Sequence, residues 1–220
     1  MPKHRTATLT VSAILVLSLF CAAQNGKVES VGPLTDSAVP DSVRQSLDEK
    51  GSRLTLDDPK STCEFWARKS IPSQPKKDDQ AVVYPELAES TFVGIIHFPG
   101  AAADFRGHQI PSGFYTLRYE LMPDDGNHLG AAPNRDFLLL IPAQSDPDPS
   151  ATFKFQDLVA MSSKTGGTKH PSVLSMAPAD KATAPTVTHD DQDHWIFSST
   201  LKLAHGELPF ALIVKGTAQQ

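Results

Sequence analysis

Residues 114–122 restrict the fold of this 220-residue chain more than any other stretch. Tyr115, Leu117, Tyr119 and Leu121 alternate with Thr116, Arg118 and Glu120. An extended strand sorts a period of two into one apolar and one polar face, whereas a helix would scatter it around its axis. The expectation is a strand with one face buried and the other meeting water or a ligand. Residues 91–98 and 136–141 are apolar on both faces, as strands inside a sandwich or beneath a covering loop would be. Residues 53–56 and 61–67 flank the turn set Asp57-Asp58-Pro59-Lys60 and read as a hairpin. Residues 194–203 and 208–215 read as a second one, joined by Ala204-His205-Gly206-Glu207, and residues 173–176 as a brief strand. Two short helices are expected. One follows Pro40, with Val43 and Leu47 on one face and a stop at Gly51; the other spans residues 155–164 and ends at Gly166-Gly167. Many short strands with turn-rich joints make the chain all-β, an antiparallel β-sandwich of jelly-roll-like or immunoglobulin-like form with one or two short helices.

The turn into the central strand, Gly107-His108-Gln109-Ile110-Pro111-Ser112-Gly113-Phe114-Tyr115, resembles the Gly-x-x-Ile-Pro-x-Gly-x-Tyr signature of secreted bacterial β-sandwich proteins of unknown function. That resemblance implies a fold and offers no activity to carry over. Its local logic stands without the family: Pro111 fixes one φ, Gly113 can take a positive φ, and Tyr115 then begins the buried face.

The beginning of the chain sets an expected compartment. Lys3, His4 and Arg5 precede an apolar run over residues 7–20, which ends in Cys21, Ala22 and Ala23 before polar Gln24. This is the composition of a secretory signal peptide, residues 1–23, and it is too short for a membrane span. Lipid anchoring at Cys21 is the competing reading, and the bulky Phe20 before it opposes that chemistry. Residues 24–38 read as a flexible N-terminal arm and residues 39–217 as one domain, with no transmembrane segment after cleavage. Cys63 would then be the one remaining cysteine, a buried thiol without a catalytic role.

Charge excludes one class of partner. The chain has 20 Lys and Arg against 25 Asp and Glu; removal of Lys3 and Arg5 with the signal leaves 18 against 25, a balance of −7. No Lys/Arg stripe interleaves with aromatic residues, so nucleic acid is not an expected partner. The remaining classes are an envelope protein, a glycan or a small molecule.

Two polar clusters are candidate sites. The long loop over residues 123–134 brings Asp125, Asn127 and His128 beside Arg118, Arg135 and Asp136, a group suited to a polar ligand; the alternative is an Asx-rich turn bonding its own backbone. It lacks the alternating acids and closing Glu of a calcium loop. His189, Asp191 and His194 are a second set, able to hold a divalent metal only if a tight turn brings the two imidazoles to one side. Ser73-Gln74-Pro75-Lys76 and Lys164-Thr165-Gly166 match the spacing of penicillin-recognising serine enzymes, but in a Pro-rich connection and at a helix end, and without a Ser-Asp-Asn. No other nucleophile, metal or nucleotide motif is present. The leading expectation is a secreted or periplasmic binding or scaffolding protein without cofactor or catalysis, and its rival a metal-assisted enzyme on the same fold. Amino-terminal sequencing of the exported protein is expected to begin at Gln24; a chain starting at lipid-modified Cys21 or retaining Met1 contradicts the soluble, exported reading.

Overall fold

A computed structural model describes residues 26–58, 61–76, 81–123, 132, 134–167, 169–179, 181 and 184–217. The elements are β1 (Lys27–Val31), α1 (Asp41–Ser46), β2 (Gly51–Thr55), β3 (Thr62–Ala67), β4 (Phe92–Phe98), β5 (Ala102–Ala103), β6 (Gln109–Ile110), β7 (Gly113–Leu121), β8 (Asp136–Pro142), α2 (Phe155–Gly166), β9 (Val173–Ala177), β10 (Thr186–His189), β11 (Trp195–Leu203) and β12 (Gly206–Lys215). Apart from the small β5–β6 pair, the strands form one antiparallel sheet in the order β1-β2-β3-β4-β7-β8-β9-β12-β11-β10. The chain meanders as far as β9, crosses to the opposite edge for β10, and returns through β11 to lay β12 against β9. This brings the two edges together: the Gly26 N–H donates to the Val187 carbonyl at 3.2 Å, so the sheet is nearly closed. Among the described residues no helix is long and apolar enough to cross a membrane.

The alternation in β7 emerges as expected on one side. Tyr115, Leu117 and Tyr119 are buried in the main core with Phe65, Ile96, Leu138, Leu140, Phe197, Phe210 and Leu212. The two doubly apolar strands are explained by what covers them outside. Against β4, Phe92 and Ile95 pack under Leu34, Val39, Val43 and Leu47, the α1 region. Against β8, Phe137, Leu139 and Ile141 pack under Leu158 of α2. Helix α2 itself ends where the glycines predict, with Gly167 in the left-handed region at φ 63°.

Several expectations need correction. Helix α1 is shorter than its sequence pattern, and Gly51 opens β2 rather than stopping the helix. The expected flexible arm, residues 24–38, contains β1, which pairs along β2 from Lys27↔Thr55 to Val31↔Gly51. Beyond it, Leu34 is buried and the Gly32 carbonyl accepts a bond from Trp66 Nε1 at 2.9 Å. A short, polar strand is legible only through its partner. The Pro-rich connection after β3 is tied down at Ile71, which is fully buried and bridges to Leu203. Above all, the polar face of β7 does not meet water: Thr116, Arg118 and Glu120 are buried.

That face is covered by residues 143–153, and Arg118 is what fastens them. Its Nε and Nη2 donate to the two carboxylate oxygens of Asp146 at 2.8 and 2.7 Å. Nη1 donates to the carbonyls of Ser90 and Ala151, and Nη2 also to that of Asp148. Every guanidinium N–H thus has an acceptor. Thr116 Oγ1 adds a 2.8 Å bond to Asp146, and the rings of Phe92 and Phe153 lie 5.7 and 5.0 Å from the guanidinium carbon. Ser90 holds a positive φ of 71°, secured by its N–H on Tyr119 O, its carbonyl on Arg118 and its hydroxyl on Phe153 N. Removing one partner of a buried pair strands the other charge. Arg118→Ala is therefore expected to cost about 3–5 kcal/mol in urea unfolding, and the Arg118→Ala/Asp146→Ala double variant less than the sum of the singles. A loss under about 1 kcal/mol would give the pair only the weight of a surface ion pair.

Candidate functional site

The sheet separates the residues expected to act together. Arg118 and Asp136 lie on opposite faces. Asp136, on the inner face of β8, is fully buried and accepts from the N–H groups of Val83 and Tyr84, each at 2.9 Å, and from the Tyr119 hydroxyl at 2.7 Å. It thereby seats Tyr84, whose hydroxyl donates to Ala177 O and accepts from Ala211 N across the β9–β12 seam. Burial raises the Tyr84 and Tyr119 phenols well above their ordinary range, the Asp136 charge adding to it. Both Arg118 and Asp136 are thus committed to holding irregular connections on the sheet. Asn134 bridges to the Met176 carbonyl and to the Asp136 N–H, and Arg135 Nε reaches the Met122 carbonyl at 2.9 Å. Asp125, Asn127 and His128 lie outside the described residues.

The metal set is divided among separate partners. His189 Nε2 meets Asp193 Oδ1 at 2.7 Å and its ring stacks on Trp195, centroids 4.7 Å apart. His194 Nδ1 faces Asp190 Oδ2 at 3.3 Å, while Asp191 is exposed in the turn. Among the described residues no three His, Cys, Asp or Glu side chains converge on one point. The turn is a recurrent unit in this protein. Asp190 Oδ1 accepts from Gln192 N and His194 N, and Asp193 sits at φ 64°. Asp104 Oδ1 accepts from Arg106 N and His108 N, with Gly107 at φ 80° and His108 Nδ1 at 3.4 Å from Asp104 Oδ2. In both, the first carboxylate organises a tight hairpin by accepting two backbone N–H groups, and the closing imidazole lies beside its second oxygen. The Lys164-Thr165-Gly166 triplet indeed ends a helix, with Thr165 Oγ1 bonded to the Leu140 carbonyl.

The structure offers a different site on the outer face of β8 and β9. A cleft of about 250 Å³ opens there between α2, the β5–β6 hairpin turn and residues 169–171. Phe105, Phe137 and Phe155 supply aromatic walls, with Met122, Pro123, Ala132, Val159, Pro171 and Val173 completing the apolar lining. Its polar groups are Arg106, Lys169, His170 and Ser175. Concave, mainly apolar lining with a few polar groups is how small-molecule sites are built. The cationic end is assembled by one backbone and one side-chain bond: Phe105 N–H donates to Val173 O at 2.9 Å, and Arg106 Nη2 donates to Pro171 O. Pro123 and Ala132 are the two described lining residues that belong to the segment 123–134. The lining comes from segments far apart in the chain, and no local motif marks it. Only the outward apolar residues of doubly apolar β8 hint at it.

A larger cleft of about 420 Å³ lies over Cys63, Phe98 and Val214. Its Lys215 is paired with Asp57 at 2.7 Å, and burial pushes the Cys63 thiol up to about 12, so it stays protonated and unreactive. No protein-family model, curated protein or solved structure matches the chain.

Glu120 follows Arg118 on the outer face of β7, opposite Phe137 in the ladder. Burial first, then the charge of Glu89 and a hydrogen bond with it, push the Glu120 carboxyl up to about 8. Its Oε2 is buried without a hydrogen-bond partner. In the unfolded chain the same group ionises near 4.5. Because the folded pKa is raised, the stability this group contributes is complete below pH 4.5 and is lost as pH rises to about 8. Unfolding free energy is expected to fall by on the order of 2–4 kcal/mol across that window, and Glu120→Gln to flatten the profile and exceed the native chain at pH 8. Parallel pH profiles for the two proteins would remove Glu120 as the cause.

Proposed function

We propose that the protein is exported and acts outside the cytoplasm as a non-catalytic binding protein whose ligand site is the apolar cleft between α2, β8, β9 and the β5–β6 turn. The basic start, apolar run and small-residue exit of residues 1–23 support the address. The observation that carries the binding role is the cleft itself, a concavity of about 250 Å³ walled by three phenylalanines on the outside of a sheet whose interior is filled. We further read the rolled sheet as the two packed layers of a β-sandwich. Phe65 of β3 meets Phe197 of β11 and Phe210 of β12 across the interior, at 5.5 and 5.8 Å between ring centroids, as facing layers would place them.

The binding reading makes a direct demand on an uncharged apolar fluorophore. Naphthalene, an uncharged fluorophore small enough for this space, is expected to bind saturably with one site per chain. Val159 is half-buried on the helix wall, and Val159→Trp, which fills the cleft from that side, is expected to weaken binding at least tenfold while leaving the melting temperature within a few degrees. Non-saturating fluorescence, or equal affinity in the variant, would reject the cleft as the ligand site.

A further inference from the structure

The polar groups of the cleft are not distributed evenly, and their sign is uniform. Arg106, Lys169 and His170 stand together where the β5–β6 turn meets residues 169–171, joined by the Arg106 bond to the Pro171 carbonyl. No Asp or Glu is among the described lining residues, although the chain as a whole is net acidic at −5. Asp104, next to Phe105 in sequence, is fully buried with Oδ1 taken by two backbone N–H groups and Oδ2 3.4 Å from His108 Nδ1. Glu120, the outward residue of β7 two positions before Met122, is buried beneath the covering residues. Arg106 is fixed at that rim by its bond to the Pro171 carbonyl, and its planar fork suits a carboxylate.

Resting on the reading of the cleft as the ligand site, we propose that its ligand is an amphipathic monocarboxylate, with the apolar body among Phe105, Phe137 and Phe155 and the carboxylate at Arg106 and Lys169. A space of about 250 Å³, at roughly 30 Å³ per water-sized group, holds a body of about eight heavy atoms. A neutral ligand of that shape would leave the cationic end unmatched, and an ammonium would be repelled by it.

Calorimetric titration of the full chain at pH 7.5 and low salt with octanoate, 1-octanol and octylammonium tests this. Octanoate is expected to bind at least tenfold tighter than octanol, and octylammonium more weakly than either. In Arg106→Gln/Lys169→Gln the octanoate preference should fall below threefold, as it should in 0.5 M salt. Both side chains are exposed, so each single variant provides the same test if the double variant is unstable. Lys50→Gln, in a separate charged groove with Asp48, Lys69 and Lys202, should leave the preference unchanged. Equal affinity for octanoate and octanol, or a preference that survives the double substitution, overturns the carboxylate assignment while the cleft stands. Failure of all three compounds and of the uncharged fluorophore overturns the cleft as well.

Discussion

The guanidinium of Arg118 is a cation with no water around it, and the outer half of the structure is arranged by the need to satisfy it. A buried charge is tolerable only when paired and hydrogen-bonded. Here the acceptors come from Ser90, Asp146, Asp148 and Ala151, three of them through backbone carbonyls. Those positions belong to the two irregular connections on this side of the sheet. Fixing Ala151 and Phe153 fixes where α2 begins at Phe155, and Phe155 and Val159 form the helix wall of the cleft. The position of the cleft follows from an ion pair that does not line it.

Asp136 plays the corresponding part inside. Its two oxygens receive Val83, Tyr84 and Tyr119, which draws the connection before β4 across the end of the core and lets Tyr84 cap the short β9–β12 ladder. That ladder registers only Ala211↔Ala177 and Leu212↔Met176, so the phenol bridging Ala177 O and Ala211 N adds bonding where the sheet has least. An interior occupied by Tyr84, Phe65, Phe197 and Phe210 has no space for a ligand at native packing density. Outside the sheet, α2 leaves part of β8 and β9 uncovered, and the cleft of about 250 Å³ opens there.

How much of this was legible follows the range of the forces involved. Period-two alternation is a property of one strand, so the inner face of β7, the β2–β3 hairpin and the β11–β12 hairpin could be read directly, as could the stop of α2 at its glycines. What sequence could not report was the second covering layer. Thr116, Arg118 and Glu120 are polar, and polarity implies solvent unless a partner is visible; Asp146 lies 28 residues from Arg118 and nothing local links them. The same holds for Arg118 and Asp136, close in sequence and alike in suggesting a site, yet placed back to back by the pleat. The strand β1 was illegible for the opposite reason. It has little apolar content, and its order derives from hydrogen bonds to β2 and from Gly26 meeting Val187.

The near-closure at that point bears on how the chain avoids associating through its edges. An open antiparallel sheet exposes unpaired N–H and C=O groups that can recruit another chain. Here the crossing after β9 carries β10 to the far side, where it faces β1. Along the exposed edge of β1, Lys27 and Glu29 form a 2.9 Å ion pair that puts charge at the seam. Farther along β11, Ile71 occupies the edge through bonds with the carbonyl of Lys202 and the N–H of Ala204. Between those guards the seam leaves a shallow recess lined by Val28, Ser30, Ser199 and Thr200, with Pro185 at its border contributing no N–H. The chain order that looks indirect on paper thus removes most of both edges at once, with the charged pair of β1 on one side of the recess and the buried Ile71 on the other.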